Sequence, residues 1–322
     1  MRPQRGAAIL TALLLMALVA TLSTAALWQQ ARALDLEASE RARVQAQWIL
    51  QGATDWARLI LREDARTAAV DHLGEPWAIT LQEAKLSSFL ANGAAIDDTL
   101  PADVLQSAFL SGGISDLQAR LNTTNLVLDA DIHAPTLQAF NRLFDLLQLP
   151  PAELQLLVSN LRAGLQAPSA KPAAQQTATG TPLLPRSREQ LLWLGLSERT
   201  LARLSPHIVV LPDRSTVNVN TASALVLQAS IPGMDSATAQ RLLERRAQSP
   251  LRSMAEVQTA TGLPETALPQ TQLSVNSRFF EVRTRLRLGG FATQERTTLQ
   301  REGLLVKPLW KEREAPVDAF VQ

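Results

Sequence analysis

The chain has 322 residues, 46% of them hydrophobic but only 4% aromatic, and its 31 Lys+Arg against 30 Asp+Glu leave a net charge of +1 at pH 7. That balance gives no global basic field for nucleic acid, and the absence of cysteine excludes disulfides, thiolate catalysis and zinc ligation by sulfur. The length leaves room for two or three compact modules.

A basic leader, residues 1–6 ending in Gly6, precedes an uncharged apolar run over residues 7–31. As a helix that run would be about 37 Å long, enough to cross a hydrocarbon core of about 30 Å. Arg2 and Arg5 lie on the Met1 side, so the positive-inside bias predicts a cytoplasmic N-terminus and an outward-facing remainder. The rival reading is a cleaved signal peptide, for which Ser23-Thr24-Ala25 offers small residues at alternate positions. Against it, the run exceeds an apolar region of about 7 to 15 residues and the helical pattern continues past the cut. Ala38, Ala42, Ala46, Ile49, Ala53, Trp56 and Ile60 recur at spacings of three and four, with Arg41, Arg43, Arg58 and Arg62 on the other face. This predicts an amphipathic continuation over residues 32–66, with Val44, Ile49 and Trp56 as packing positions. Gly52 within it costs about 1 kcal/mol relative to Ala and points to close packing against another backbone.

Residues 67–134 read as mixed α/β, with strands near Trp77–Leu81 and Gly113–Leu117 and turns at Asn92-Gly93 and Gly112-Gly113. Residues 135–274 read as an α-helical insertion. Its helical patterns are Leu137–Leu147, Pro151–Leu165, Ser187–Trp193, Ser197–Leu204, Ala222–Gln228, Ser236–Arg246 and Met254–Thr261. Ser197 and Asp235 are placed as N-caps, and Ser253 with Glu256 forms a capping box. Between them, Gln166 to Pro185 has too few large apolar groups to fix itself by burial and reads as a flexible linker.

Residues 275–322 return to β structure. Phe280, Val282, Leu286 and Leu288 alternate with Glu281, Arg283, Arg285 and Arg287, the period of a half-buried strand with a solvated charged face. Gly289-Gly290 is a hairpin signal, Phe291–Arg301 the return strand, and Leu304–Trp310 a further one.

Nothing in the chain has the spacing of a catalytic or metal centre. His72, His133 and His207 are the only histidines, and none stands in a metal-ligand motif such as HExxH. Asp71-His72 are sequence neighbours, which rarely face one another as an acid–base pair. Asp97-Asp98 and Asp129-Ala130-Asp131 cluster hard oxygen ligands but lack the spaced ligands and central Gly of an EF-hand loop. The expectation is a protein that is not an enzyme.

The short basic leader, Gly6 and the two-part helix resemble the class III, type IV pilin-like precursors. That resemblance implies cleavage between Gly6 and Ala7 by a prepilin peptidase and methylation of the new terminus. One departure stands out: the fifth mature residue, Glu in most pilins, is Thr11 here. In the family that Glu neutralises a neighbouring subunit's terminal amine within the bilayer, so a subunit lacking it suits the filament tip. Four tracts, RGAAILTALLL, DHLGEPWA, ISDLQARLNTTNL and STVNVNTASALVLQASIPGMDSATAQRLLERR, further resemble the K-type minor pseudopilins of type II secretion systems, the general secretion pathway protein K family. The resemblance implies an α+β fold, a pilin-like antiparallel sheet domain interrupted by an α-helical insertion. It also implies a place at the pseudopilus tip, where the subunit caps or initiates assembly for protein export. I-type and J-type minor pseudopilins, the major pseudopilin and the prepilin peptidase would be its partners. The chain would be single-pass in the inner membrane, with its head in the periplasm. No cofactor is required, and calcium stays open on family grounds with no ligands chosen.

A second reading rests on Asn218-Val219-Asn220-Thr221-Ala222 followed by Ile231-Pro232-Gly233-Met234-Asp235, which look like a helix-hairpin-helix unit. Such units bind DNA through backbone N–H groups at a helix start, which would make the chain a membrane-tethered DNA receptor of a competence or type IV pilus system. Here Asp235 replaces the second hairpin Gly, putting a carboxylate where phosphate would approach. Arg241, Arg245 and Arg246 beside Glu244 fit a solvated face. The balance falls against DNA.

Overall fold

The computed structural model describes residues 5–91, 107–129, 131–166 and 182–314. A single helix, α1 (Arg5–Thr67), runs through both the apolar and the amphipathic segments. It leads through a 3₁₀ turn (Pro76–Ala78) into β1 (Leu81–Lys85), α2 (Leu86–Ala91) and β2 (Ala108–Asp116). The helical region follows: α3 (Ala134–Leu146), α4 (Pro151–Gln166), a 3₁₀ segment (Glu189–Leu194), α5 (Glu198–Leu204), α6 (Ala224–Ser230), α7 (Ser236–Gln248) and α8 (Met254–Thr261). The chain closes with β3 (Phe279–Leu288), β4 (Phe291–Glu302) and β5 (Leu305–Glu314).

The five strands form one antiparallel meander, order β1-β2-β3-β4-β5, and the helical region is an excursion between the neighbours β2 and β3. The mixed helix-and-sheet architecture behind a long apolar helix is the one expected from the sequence. The lower part of α1 crosses one face of the sheet through two apolar clusters. Ala46 and Leu50 meet Leu110, Leu286 and Leu288, and further along Ala57 and Leu61 meet Trp77, Phe280, Val282 and Leu299. These α1 residues recur at intervals of four and seven, so one helical face stays on the sheet throughout. The helical excursion has its own large core, centred on Phe140, Leu143, Phe144, Leu157, Leu191, Leu204, Val226, Leu227 and Leu242.

The caps form as the sequence indicates. Ser197 Oγ accepts from Thr200 N at 3.2 Å, Asp235 Oδ1 from Thr238 N at 2.7 Å and Ser253 Oγ from Glu256 N at 3.3 Å. Glu256 reaches back to Arg252 N at 3.1 Å, one residue beyond the N-cap's own N–H. Gly289 takes a left-handed φ of 57° in the β3–β4 hairpin, where Leu288 pairs Phe291.

Three local expectations are corrected. Trp77 sits in the 3₁₀ turn, not in a strand, because Pro76 fixes the helical φ of the first position, and pairing begins only at Leu81. Gly112-Gly113 lies inside β2, not in a turn: a Cβ on Gly112 would come within 2.3 Å of the Arg283 carbonyl oxygen, so the glycine serves close strand approach. Glu281 does not belong to a solvated face; it is 5% exposed, since the excursion folds back over that end of the sheet. Asn92-Gly93 lies outside the described residues, as does Gln166 to Pro185 from Ala167 to Thr181.

Candidate functional site

Two features stand out: the surface of α1 and a buried polar junction at the roots of the excursion. From Ile9 to Trp28 the large apolar side chains of α1 are all exposed, Leu10 at 69% and Leu22 at 61% among them, so among the described residues this stretch has no packing partner outside its own helix. Thr11 Oγ1 donates to Ala8 O at 2.9 Å, which satisfies its hydroxyl along the helix. Gly6 and Ala7 lie within the first turns of α1. Past the apolar run, Val44 (48% exposed), Trp48 (74%) and Leu59 (46%) lie on the side turned away from the sheet, while Trp56 (44%) borders a groove between α1 and the sheet with Ala53, Ile60, Trp77 and Val282. Gly52 lies on the same exposed side, where a Cβ would meet no other described atom within 4 Å. Ile49 is half-buried against the cluster of Ala46, Leu50 and Leu286.

The junction gathers three of the sequence tracts singled out above. Asp116, the last residue of β2, accepts from Gln118 N at 2.7 Å through Oδ1, and through Oδ2 from Thr221 Oγ1 and Ser277 Oγ, each at 2.6 Å. Asn218 Nδ2 lies within hydrogen-bond distance of Asp116 Oδ2, Ser277 Oγ and the Asp71 carbonyl. Asp71 accepts from Ser277 N at 2.7 Å and takes the Arg301 guanidinium across both carboxylate oxygens. Arg301 also reaches Asp64 at 2.9 Å and the Ser277 carbonyl at 2.9 Å, and its Cζ lies 4.8 Å from the Phe280 ring centre. Glu75 accepts from Trp77 Nε1 at 2.6 Å and His72 N at 2.9 Å.

Chemically, the junction is structural. The carboxylate oxygens of Asp64, Asp71 and Glu75 lie within 4.8 Å of one another, the crowding of a hard-cation site, and the Arg301 guanidinium is the cation beside them. Burial, together with the Glu75 charge, pushes Asp64 up to about 6. Burial likewise raises Asp116 to about 6 against the opposing bonds from Ser277, Thr221 and the Gln118 N–H.

Asp116 therefore makes stability depend on pH. A carboxyl raised above its ordinary 3.8 takes its proton earlier in the folded chain than in the unfolded one. Its stabilising contribution is complete below about pH 4 and is lost as pH rises through about 6. Asp116→Asn removes that dependence. Unfolding free energies at pH 4 and pH 7 are expected to show the variant gaining on the parent by on the order of 3 kcal/mol across the window; a constant difference would contradict the assignment.

A second hydrogen-bonded set ties the excursion's entrance to its middle. Asn122 Oδ1 accepts from Leu211 N and Thr124 N, its Nδ2 donates to the Asp213 carbonyl, and Asn125 Nδ2 donates to the Ser215 carbonyl at 2.6 Å. Asn220 clasps Leu251 through both N–H and C=O.

The helix-hairpin-helix-like segment is engaged within the fold. Gly233 supplies a φ of 79° for the turn, and the Asp235 carboxylate fills the start of α7 where an anion would dock. Arg246 Nη1 donates to the Val219 and Ala222 carbonyls at 2.7 Å, and burial lowers it to about 10. Arg241 donates to Thr238 and Arg245 to the Ser249 carbonyl. The histidines serve separate local contacts: His72 Nδ1 accepts from Gly74 N, and His133 Nδ1 lies 2.8 Å from Thr136 Oγ1. Of the acidic pairs, Asp97-Asp98 lies outside the described residues, and Asp131 pairs with Arg162 at 3.4 Å.

Sequence reasoning missed the junction as a unit. Asp71 and Arg301 are 230 residues apart. The one local signal was the alternation of Asn218 and Asn220 with Val217 and Val219 in an uncharged run, all four of them buried.

Comparison with known proteins matches two stretches of the excursion to family models. Residues 119–213 and residues 217–276 each match a model described as type II secretion system protein K. The curated type II secretion system protein K of Pseudomonas aeruginosa is 27% identical over 318 residues, covering 93% of this chain and 90% of that protein. That of Klebsiella pneumoniae is 28% identical over 323 residues, covering 93% of each. Among solved structures, a chain from the GspK-GspI-GspJ complex of the enterotoxigenic Escherichia coli type 2 secretion system superposes with a TM-score of 0.60. It covers 86% of this chain and 98% of that one at 16% identity, a likeness of fold.

Proposed function

We propose, from the premise that this chain belongs to the type II secretion system protein K family and is a minor pseudopilin of that machinery, that it caps or initiates the pseudopilus at its tip. The observation carrying this reading is the continuous α1, whose upper half exposes its large apolar side chains while its lower half is locked to a broad head. A subunit so built is stored in the bilayer and can pair with others only along its helix. The bulk of the excursion works against a further subunit being added above it.

In this reading residues 1–6 are a leader removed between Gly6 and Ala7, residues 7–31 cross the inner membrane with the cytoplasm at the Met1 end, and residues 32–66 carry the assembly face. The five-stranded sheet forms the pilin-like part, and the insertion, expected at 135–274, is taken here to begin already at Leu117, where the chain leaves the sheet. Thr11 in place of the pilin Glu leaves the subunit unable to neutralise a neighbour's amine, which suits a terminal position. The exposed stripe of Val44, Trp48, Gly52 and Leu59 is the contact face for I-type and J-type minor pseudopilins, with Ile49 and Trp56 at its inward edge.

Mass spectrometry of the membrane form is expected to find a methylated terminus at Ala7, and Gly6→Val to retain the leader. Charge on the stripe, Val44→Glu with Trp48→Glu, is expected to abolish co-purification with I-type and J-type pseudopilins while leaving the head folded. Cleavage after Ala25 in the mature protein would overturn the reading, because it removes the assembly helix.

A further inference from the structure

One pair on α1 sits where the apolar run ends. Arg32 is the first charged side chain after the leader, and its guanidinium carbon lies 5.4 Å from the centre of the Trp28 ring one turn earlier. Helical side chains lean toward the N-terminus, so Arg32 reaches back beside Trp28. Trp28 is 64% exposed, and its ring packs on no other element among the described residues.

The spacing along the helix gives this pair a level. From Ala7 to Trp28 the helix rises about 32 Å, against a hydrocarbon core of about 30 Å. When Ala7 stands at one boundary of the core, Trp28 stands at the other. Tryptophan is the side chain enriched at that boundary, with an apolar body and one N–H donor. An arginine one turn further carries its charge to headgroup phosphate while its stem lies along the acyl surface.

We propose that Trp28 and Arg32 form a clamp on the phospholipid headgroups of the outer face of the bilayer, fixing the depth of α1 before assembly. The proposal rests on reading α1 as the membrane anchor. It names the lipid interface as a partner of a specific pair, separate from the stripe that meets other subunits.

The test uses the full chain, which contains no cysteine and so accepts single reporters cleanly. Single cysteines at Thr24, Gln30, Ala33, Leu34 and Leu36 are placed in turn in the chain reconstituted into phosphatidylethanolamine and phosphatidylglycerol vesicles. They are then labelled with a membrane-impermeant maleimide. In the parent, labelling is expected to begin between Gln30 and Ala33. In Trp28→Leu with Arg32→Gln, the helix is no longer held and the onset is expected to move by about one turn toward Leu36. Labelling at Ala33 should fall at least several-fold. Trp28→Tyr alone should keep the parental onset. An unchanged onset in the double variant, with Thr24 still protected, would overturn the clamp and leave the anchor standing. Labelling of Thr24 in the parent would overturn both.

Discussion

Replacing Arg301 with Met is expected to destabilise the head by about 3–5 kcal/mol, measured by denaturant unfolding followed through tryptophan fluorescence. Arg301 is 9% exposed and lies beside Asp64, Asp71 and Glu75, each less than 9% exposed. A methionine stem fills part of the space but leaves clustered carboxylates without their cation, so the cost is that of uncompensated buried charge and not merely a lost contact. Arg301→Lys should fall between the two, because an ammonium cannot hold Asp64 on one nitrogen and Asp71 on another in the planar fork that Arg provides. Adding Asp71→Asn to Arg301→Met should recover part of the loss, a coupling that separates the charge term from packing. Equal destabilisation by Met and Lys would contradict this account.

Trp77→Ala is expected to cost a comparable 3–5 kcal/mol or so. Trp77 is 1% exposed, meets Phe280 edge-on with ring centres 5.3 Å apart, and donates its Nε1–H to the buried Glu75. Alanine opens a cavity between α1 and the sheet and also removes one of the two donors holding Glu75. Trp77→Phe keeps most of the ring and loses only the donor, so about 1–3 kcal/mol is expected from the same measurement. If Phe proved as damaging as Ala, packing would not be the larger share. Because the ring lies under α1, the Ala variant should also loosen the grip of the head on its helix, visible as earlier proteolysis after Thr67.

The parts of the fold readable from sequence were those set by short-range rules. Apolar residues recurring every three or four positions gave α1 its length and face, Ser and Asp before helix-forming runs gave the caps, and alternation with Gly289-Gly290 gave the last hairpin. The same local rules misread Gly112-Gly113, since a glycine that opens a turn and one that admits a neighbouring strand look alike until the Arg283 carbonyl is in view. They misread Glu281 as well: alternation tells which residues share a face, but not that a distant segment will cover it. The exposed stripe on α1 was half legible. Periodicity put Ile49 and Trp56 together on the apolar face, and the sheet beneath that face shows Ile49 packed on its cluster and Trp56 at the groove beside it; Val44 lay outside that periodic set. Arg301 was invisible for the plainest reason, a strand arginine among other strand arginines whose partners lie in the first quarter of the chain.

Asp116 and Phe280 are register partners on adjacent strands, and Asp116 is joined to Ser277 by a single hydrogen bond. Everything from Leu117 to Asn276 thus leaves the sheet and returns to it through one narrow doorway. Evolution can enlarge, trim or exchange what hangs outside that doorway without redrawing the wall it is set in. A chain shortened to a tight turn at that point would still have two strands ready to meet as a simple hairpin.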